Sequence, residues 1–193
     1  MSSLLRERLR DLVIEKAFRY SETPTFKLVS GKTSNYYFNC KAVTLHPEGM
    51  YLTGNIIYDL IKDSGINGIG GLTLGADPIA YAVAYTSHAK GKPVEAFVVR
   101  KTPKSHGTMQ WIEGNISQGD RVVIVDDVIT TGKSTIEAVG RAQEAGLKVV
   151  KVISLIDRQE GGREAIEALG FPLVAIITRE EVVERYLGSG LNI

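Results

Sequence analysis

A doubly wound α/β fold is what this sequence predicts: a mainly parallel five-stranded sheet with helices on both faces and a small N-terminal subdomain. Three observations carry it. Short apolar runs rich in β-branched residues, such as Val122-Val-Ile-Val125, read as strands buried on both faces. These runs alternate with helical stretches, which implies parallel strands. Polar clusters stand at four strand ends: Thr73 to Asp77, Arg100-Lys101, Asp126 to Thr135, and Asp157-Arg158. Ligands of open α/β sheets bind at the carboxyl ends of strands. Four such clusters are far more specific than one.

Bulk properties narrow the class. A length of 193 residues fits one domain. Hydrophobic residues at 44% and charged residues at 23% are ordinary for a globular chain. A net charge of +1 provides no global basic field, so nucleic acid is not an expected partner and anion binding must be local. The single cysteine, Cys40, excludes an internal disulfide and a thiolate metal site, which suits a reducing, cytoplasmic compartment. Residues 1–10 are too charged for a secretory signal, and no apolar run approaches membrane-spanning length.

Taken in order, residues 3–18 form an amphipathic packing helix with Leu5, Leu9, Leu12, Val13 and Ala17 on one face. Phe26 to Ser30-Gly31 and Tyr36-Tyr37-Phe38 predict two short strands around a polar turn. Pro47 opens a helix reaching about Lys62. A Gly-rich strand from Asn67 to Leu72 leads to a turn in which Asp77 is a plausible N-cap ahead of Pro78. Val94 to Val99 is a strand, and residues 100–114 lack either periodicity and read as a long exposed loop. Leu147 to Ile156, Arg163 to Leu169, Leu173 to Ile177 and Arg179 to Leu187 complete the alternation as strand, helix, strand and helix.

The stretch from Val122 to Thr135 is the chemical centre. Two adjacent acids, Asp126 and Asp127, offer acceptors for hydroxyls or a hard cation. The turn from Thr130 into a helix can aim backbone N–H groups at a phosphate. Gly132-Lys133-Ser134 ends like a nucleotide-binding P-loop, but that motif needs a glycine where Asp127 stands, so the P-loop is rejected.

This stretch resembles the phosphoribosyl-pyrophosphate (PRPP) motif of the type I phosphoribosyltransferases. Three further segments resemble the orotate-specific branch of that family: Phe26 to Asn39 its substrate hood, Arg100-Lys101-x-x-Lys104-x-His106-Gly107 its catalytic loop, and Asp157 to Gly162 a strand end where an Arg meets orotate. The resemblance implies transfer of ribose 5-phosphate from PRPP to orotate, with release of pyrophosphate. It implies one phosphoribosyltransferase domain over 1–193, with a hood from about 20–45 and the C-terminal residues as a further contributor. By the same resemblance, Asp126 and Asp127 bind the ribose hydroxyls, and Asp127 is also a candidate proton acceptor. Val128, Ile129, Thr130, Thr131, Gly132, Lys133 and Ser134 lie around the 5-phosphate. Arg100, Lys101, Lys104 and His106 meet the pyrophosphate, with Lys101, Lys104 and His106 named as catalytic together with Asp127. Thr73, Gly75, Ala76 and Asp77 form a pyrophosphate turn. Tyr36, Tyr37, Phe38, Thr130 and Arg158 surround orotate. Mg2+ is the implied cofactor, held mainly by substrate oxygens. A homodimer sharing loop 100–113 across its interface is the implied assembly. Val29 and Gly75 stand where some members carry Lys. Two other readings share the central motif: a purine phosphoribosyltransferase, which would need a different hood and no Arg158, and a non-catalytic PRPP-binding regulator. The loop cations, and the lack of a helix-turn-helix layout with a basic face in residues 1–20, disfavour the regulator.

Overall fold

The computed structural model describes residues 3–27, 33–103 and 111–188. Helix α1 (Ser3–Lys16) turns Leu9, Leu12, Val13 and Ile14 into the core. The chain then leaves the helical period earlier than expected and forms strand β1 (Phe18–Tyr20). Strands β2 (Phe26–Lys27) and β3 (Thr33–Ser34) make a small antiparallel pair. Strand β4 (Tyr36–Phe38) does not pair with the Phe26 strand as the sequence suggests; it pairs with β1, Phe18 opposite Phe38. A one-turn helix α2 (Lys41–Thr44) follows, fixed by buried Val43 and Thr44.

Helix α3 (Pro47–Ile61) begins with Pro at its first turn, where the missing N–H is not needed. Next come β5 (Gly68–Leu72), α4 (Asp77–Ala89), β6 (Glu95–Val99) and β7 (Ile112–Gly114). After these come β8 (Arg121–Ile129), α5 (Lys133–Glu144), β9 (Lys148–Asp157), α6 (Gly162–Glu167), β10 (Leu173–Thr178) and α7 (Arg179–Gly188). The central sheet runs β10-β9-β8-β5-β6-β7. Five strands are parallel, as expected; the sixth, β7, is antiparallel to β6 and lies in the stretch read as loop.

The apolar run of β8 explains why it is central. Val123 and Val125 pack into one core with residues of α1, α3, α4 and α7. Val122 and Ile124 face the other way, into a second core with Ala138, Val139 and Ala142 of α5 and Ile166 of α6. Side chains alternate across a strand, so an all-apolar strand demands cover on both faces. The small N-terminal sheet is joined to the rest by rings: Tyr186 of α7 lies 5.3 Å from Phe18 and 6.0 Å from Tyr20. Among the described residues no helix is long and apolar enough to cross a membrane.

Candidate functional site

Strand β8 does not end at Val125. Its ladder with β9 continues through Asp126 opposite Ser154, Val128 opposite Ile156 and Ile129 opposite Asp157. Both acids are therefore strand residues, 7% and 8% exposed, rather than the start of a turn. Asp126 is fully engaged by its own segment. Its Oδ2 accepts the Ser134 hydroxyl at 2.9 Å and the Thr135 hydroxyl at 2.7 Å, and its Oδ1 accepts the Asp127 N–H at 3.0 Å. Burial pushes its pKa up to about 6; the neighbouring Asp127 charge adds to the rise, and the hydroxyls and amide oppose it. Asp127 instead accepts Lys41 Nζ at 3.2 Å.

The turn after β8 passes through half-buried Thr130 and exposed Thr131 to Gly132, which caps α5 at φ +78°, a conformation natural to glycine. The first helical bond runs from Ile136 N–H to Gly132 O, so the amides of Lys133, Ser134 and Thr135 have no partner within the helix. They open beside exposed Lys133 and Ser134 at the positive end of the helix dipole, which makes an anion cradle. Ile129 is buried, so only its backbone can face a ligand, and Val128 is half-buried. The β9–α6 turn supports the cradle from below: a Cβ on Gly162 would lie 2.7 Å from Thr130 O and 2.9 Å from Gly132 N.

Arg158 is tied to the same place by its backbone N–H, which donates to Ile129 O at 2.9 Å. Its side chain is buried, and Nε donates to Glu160 Oε1 at 3.1 Å. Its Nη2 lies 2.8 Å from that same oxygen, yet forms no properly directed hydrogen bond. The contact is thus an ion pair that leaves a guanidinium donor unsatisfied. Asp157 keeps the segment in shape by accepting Arg163 Nε at 3.0 Å and Gln159 N–H at 2.8 Å.

In the 73–77 turn Asp77 is not the N-cap. Ala76 holds that position and Asp77 is the first helical residue. Its Oδ2 accepts the Thr73 hydroxyl at 2.6 Å, while the buried Oδ1 has no hydrogen-bond partner. The Thr73–Leu74 peptide is cis. Ala76 is wholly buried and can offer only backbone. Gly75 approaches the acid pair so closely that a Cβ would lie 2.6 Å from Asp127 Oδ1.

The loop begins as expected but ends sooner. Arg100 N–H donates to Trp111 O at 2.8 Å, and Arg100 Nη1 meets Glu113 at 2.7 Å, so the two ends of the loop are held together. Lys101 is exposed. Lys104 and His106 lie outside the described residues, as do Val29, Ser30 and Gly31 of the expected hood. Of the three hood aromatics, Phe38 goes into the core, 8% exposed with its ring 5.1 Å from Phe18. Tyr36 stacks on Tyr20 at 5.7 Å, and exposed Tyr37 stacks on Phe26 at 5.8 Å. An open cavity of about 430 Å³ between β4 and α7 is lined by Tyr36, Gln159, Arg179, Glu180, Val183 and Glu184.

The structure thus brings the 73–77 turn, Asp126, Asp127, the 130–134 turn and Arg158 to the carboxyl ends of the neighbouring strands β5, β8 and β9. Sequence reasoning missed Lys41, Glu160 and the support from Gly162. Lys41 and Asp127 are 86 positions apart, and nothing local in either segment announces their contact. Among the described residues, no three His, Cys, Asp or Glu side chains are grouped to hold a metal.

A sugar-phosphate-handling α/β domain is the class this arrangement defines, with acids for hydroxyls and a helix-opening turn for an anion. The chain matches the phosphoribosyl transferase domain over residues 56–174. It is 46% identical over 183 residues to the orotate phosphoribosyltransferase of Aquifex aeolicus, covering 95% of this chain and 100% of that one. Among solved structures it resembles Mycobacterium tuberculosis orotate phosphoribosyltransferase in complex with Fe(III) dicitrate (TM-score 0.81, 38% identity, 92% of this chain and 98% of that one). It also resembles the same enzyme in complex with PRPP (TM-score 0.75, 34% identity, 94% and 93%). The chain belongs to the orotate phosphoribosyltransferase family.

Proposed function

We propose that this protein transfers ribose 5-phosphate from PRPP to N1 of orotate, giving orotidine 5-monophosphate and pyrophosphate. The observation that carries the reading is one backbone rung. Arg158 N–H donates to Ile129 O at 2.9 Å, which supports a buried Arg158 standing next to the strand end that carries the acid pair and opens the anion turn. The rung supports a reading in which an acidic planar acceptor lies next to a held sugar phosphate.

In this reading Asp127 accepts a ribose hydroxyl, and Asp126 fixes the Ser134 and Thr135 end of the cradle. Backbone N–H groups from Thr131 to Ser134 hold the 5-phosphate. Arg158 turns its unsatisfied N–H to the orotate carboxylate or a ring oxygen. Tyr36 and Tyr37, with the backbone at Phe38, wall the ring. The departing pyrophosphate gathers charge as the C1–O bond breaks, while the sugar becomes oxocarbenium-like. Catalysis therefore depends on cations at the leaving oxygens and on a fixed ribose more than on a strong base. Arg100, Lys101, Lys104 and His106 supply those cations, with the 73–77 turn facing the same group. A well-placed donor of this type is worth about 2–4 kcal/mol in the barrier.

Mg2+ suits this donor set as an ion that would be carried mainly by substrate oxygens. When bound, it neutralises pyrophosphate and ribose oxygens. The whole chain acts as one domain, with the small N-terminal strands and α7 as hood. The working form is a cytoplasmic homodimer that shares loop 100–113. Support for a partner surface comes from α4, which turns Tyr81 and Tyr85, 50% and 79% exposed, to the outside.

The test is turnover. Mixing the protein with PRPP, Mg2+ and orotate is expected to deplete orotate absorbance. An unchanged orotate signal with consumption of a purine base would replace this reading by the purine one.

A further inference from the structure

Two adjacent carboxylates buried at a strand end repel one another and lose hydration, so each needs donors. Asp126 has three, all from its own segment: the Ser134 hydroxyl, the Thr135 hydroxyl and the Asp127 amide. Asp127 takes its hydrogen bond from elsewhere, from Lys41 Nζ at 3.2 Å on Oδ2. A Cβ built on Gly75 would lie 2.6 Å from the other oxygen, Oδ1. Gly75 itself has no side chain with which to bring a cation to this carboxylate.

Lys41 is well mounted for the task. It is the first residue of α2, beside buried Cys40 and two residues before fully buried Val43, so its backbone is anchored. Its side chain remains 47% exposed, against 11% for Asp127. An ion pair with one wet partner contributes little to folding stability. Its effect falls instead on where the buried partner points.

We propose that Lys41 is a positioning residue of the sugar site, holding the Asp127 carboxylate where a ribose hydroxyl binds. The assignment rests on the transferase reading above and deepens it. It extends the site to α2, just beyond the Phe26 to Asn39 segment that carries the hood resemblance. Lys41 balances part of the charge of the acid pair, and it fixes one carboxylate oxygen so that the other keeps its orientation when PRPP arrives.

Steady-state kinetics on wild type, Lys41→Met and Lys41→Arg test this. Wild-type turnover of orotate is the control; its failure would count against the transferase reading and not against Lys41. With that control met, Lys41→Met is expected to raise KM for PRPP about ten-fold, the size of one lost charge-assisted hydrogen bond. KM for orotate stays within about two-fold, and Lys41→Arg recovers most of the loss because it keeps the cation. An unchanged KM for PRPP, equal rises in both KM values, or no recovery with Arg would each overturn the proposal. Should Lys41→Met fail to fold, Lys41→Gln takes its place with the same thresholds. Unfolding of both would mark Lys41 as a structural cation and equally overturn it.

Discussion

Asp126 is a carboxylate that folding makes harder to ionise. Its pKa of about 6 lies above the ordinary 3.8, chiefly because burial removes hydration. The folded state thus holds the proton to higher pH than the unfolded chain does. The associated stability is fully present below about pH 3.8 and is lost as pH rises through about 6. The amount is of order 3 kcal/mol. Ligand binding runs the other way, since the hydroxyls of Ser134 and Thr135 donate to the charged form. We expect kcat/KM for PRPP to fall on the acid side of about pH 6. Thr135→Val removes the strongest of the bonds that oppose burial, so that acid limb should move to higher pH. A pH–rate profile of the two proteins checks this, and a limb that stays in place would belong to another group. None of this was visible in the sequence, which marked Asp127 as a candidate proton acceptor but gave no sign that the two acids draw their donors from different places. What separates them is the identity of their donors, one set local and one from 86 residues away.

The loop stem shows what elements add to residues. Strand β7 pins residues 112–114 to the sheet edge, and Trp111 beside it lies under the Arg141 guanidinium of α5, 3.2 Å from ring centroid to Cζ. Glu137 at 3.8 Å and Glu144 at 3.5 Å steady that guanidinium. The end of the loop that follows β6 is thereby fastened to α5, the helix that opens at the anion cradle. Arg141→Met should shift the emission of the sole tryptophan to longer wavelength. It should also lower Tm by about 2–4 °C, as expected for a contact worth about 1 kcal/mol. An unshifted spectrum would mean that Trp111 is shielded by something else. The five parallel strands and their helices were legible because each strand runs for at least five residues with few polar side chains and alternates with a helical stretch. Strands β1 and β7 were not, for a physical reason: each is three residues long and formed by pairing with a distant partner. Phe18-Arg-Tyr20 continues a helical-looking run, and Ile112-Glu-Gly114 follows a charged loop, so neither carries a local period. All four polar clusters stand at the carboxyl ends of parallel strands, as strand direction requires. The loop ends were placed as neighbours only once β6 and β7 were seen to pair.

At the scale of the molecule, α4 presents Tyr81 and Tyr85 one turn apart, with exposed Leu74 just ahead of the helix. Aromatic side chains offered this way are typical anchors of a partner surface. Tyr85→Asp is expected to halve the mass found by sedimentation equilibrium and to lower turnover together with it. A monomeric mass for the wild type would remove the shared-loop reading. The β8–β9 ladder has a different kind of consequence. Its last rungs join Ile129 to Asp157 and then Arg158 N–H to Ile129 O, so the acid pair and Arg158, proposed to meet the sugar and the ring, are spaced by main-chain hydrogen bonds. That spacing behaves as a fixed gauge, indifferent to side-chain exchange. Redesign for a bulkier acceptor would therefore have to act on the lid of small strands above the gauge, where Tyr36 and Tyr37 stand, because the gauge itself can be changed only by re-registering two central strands.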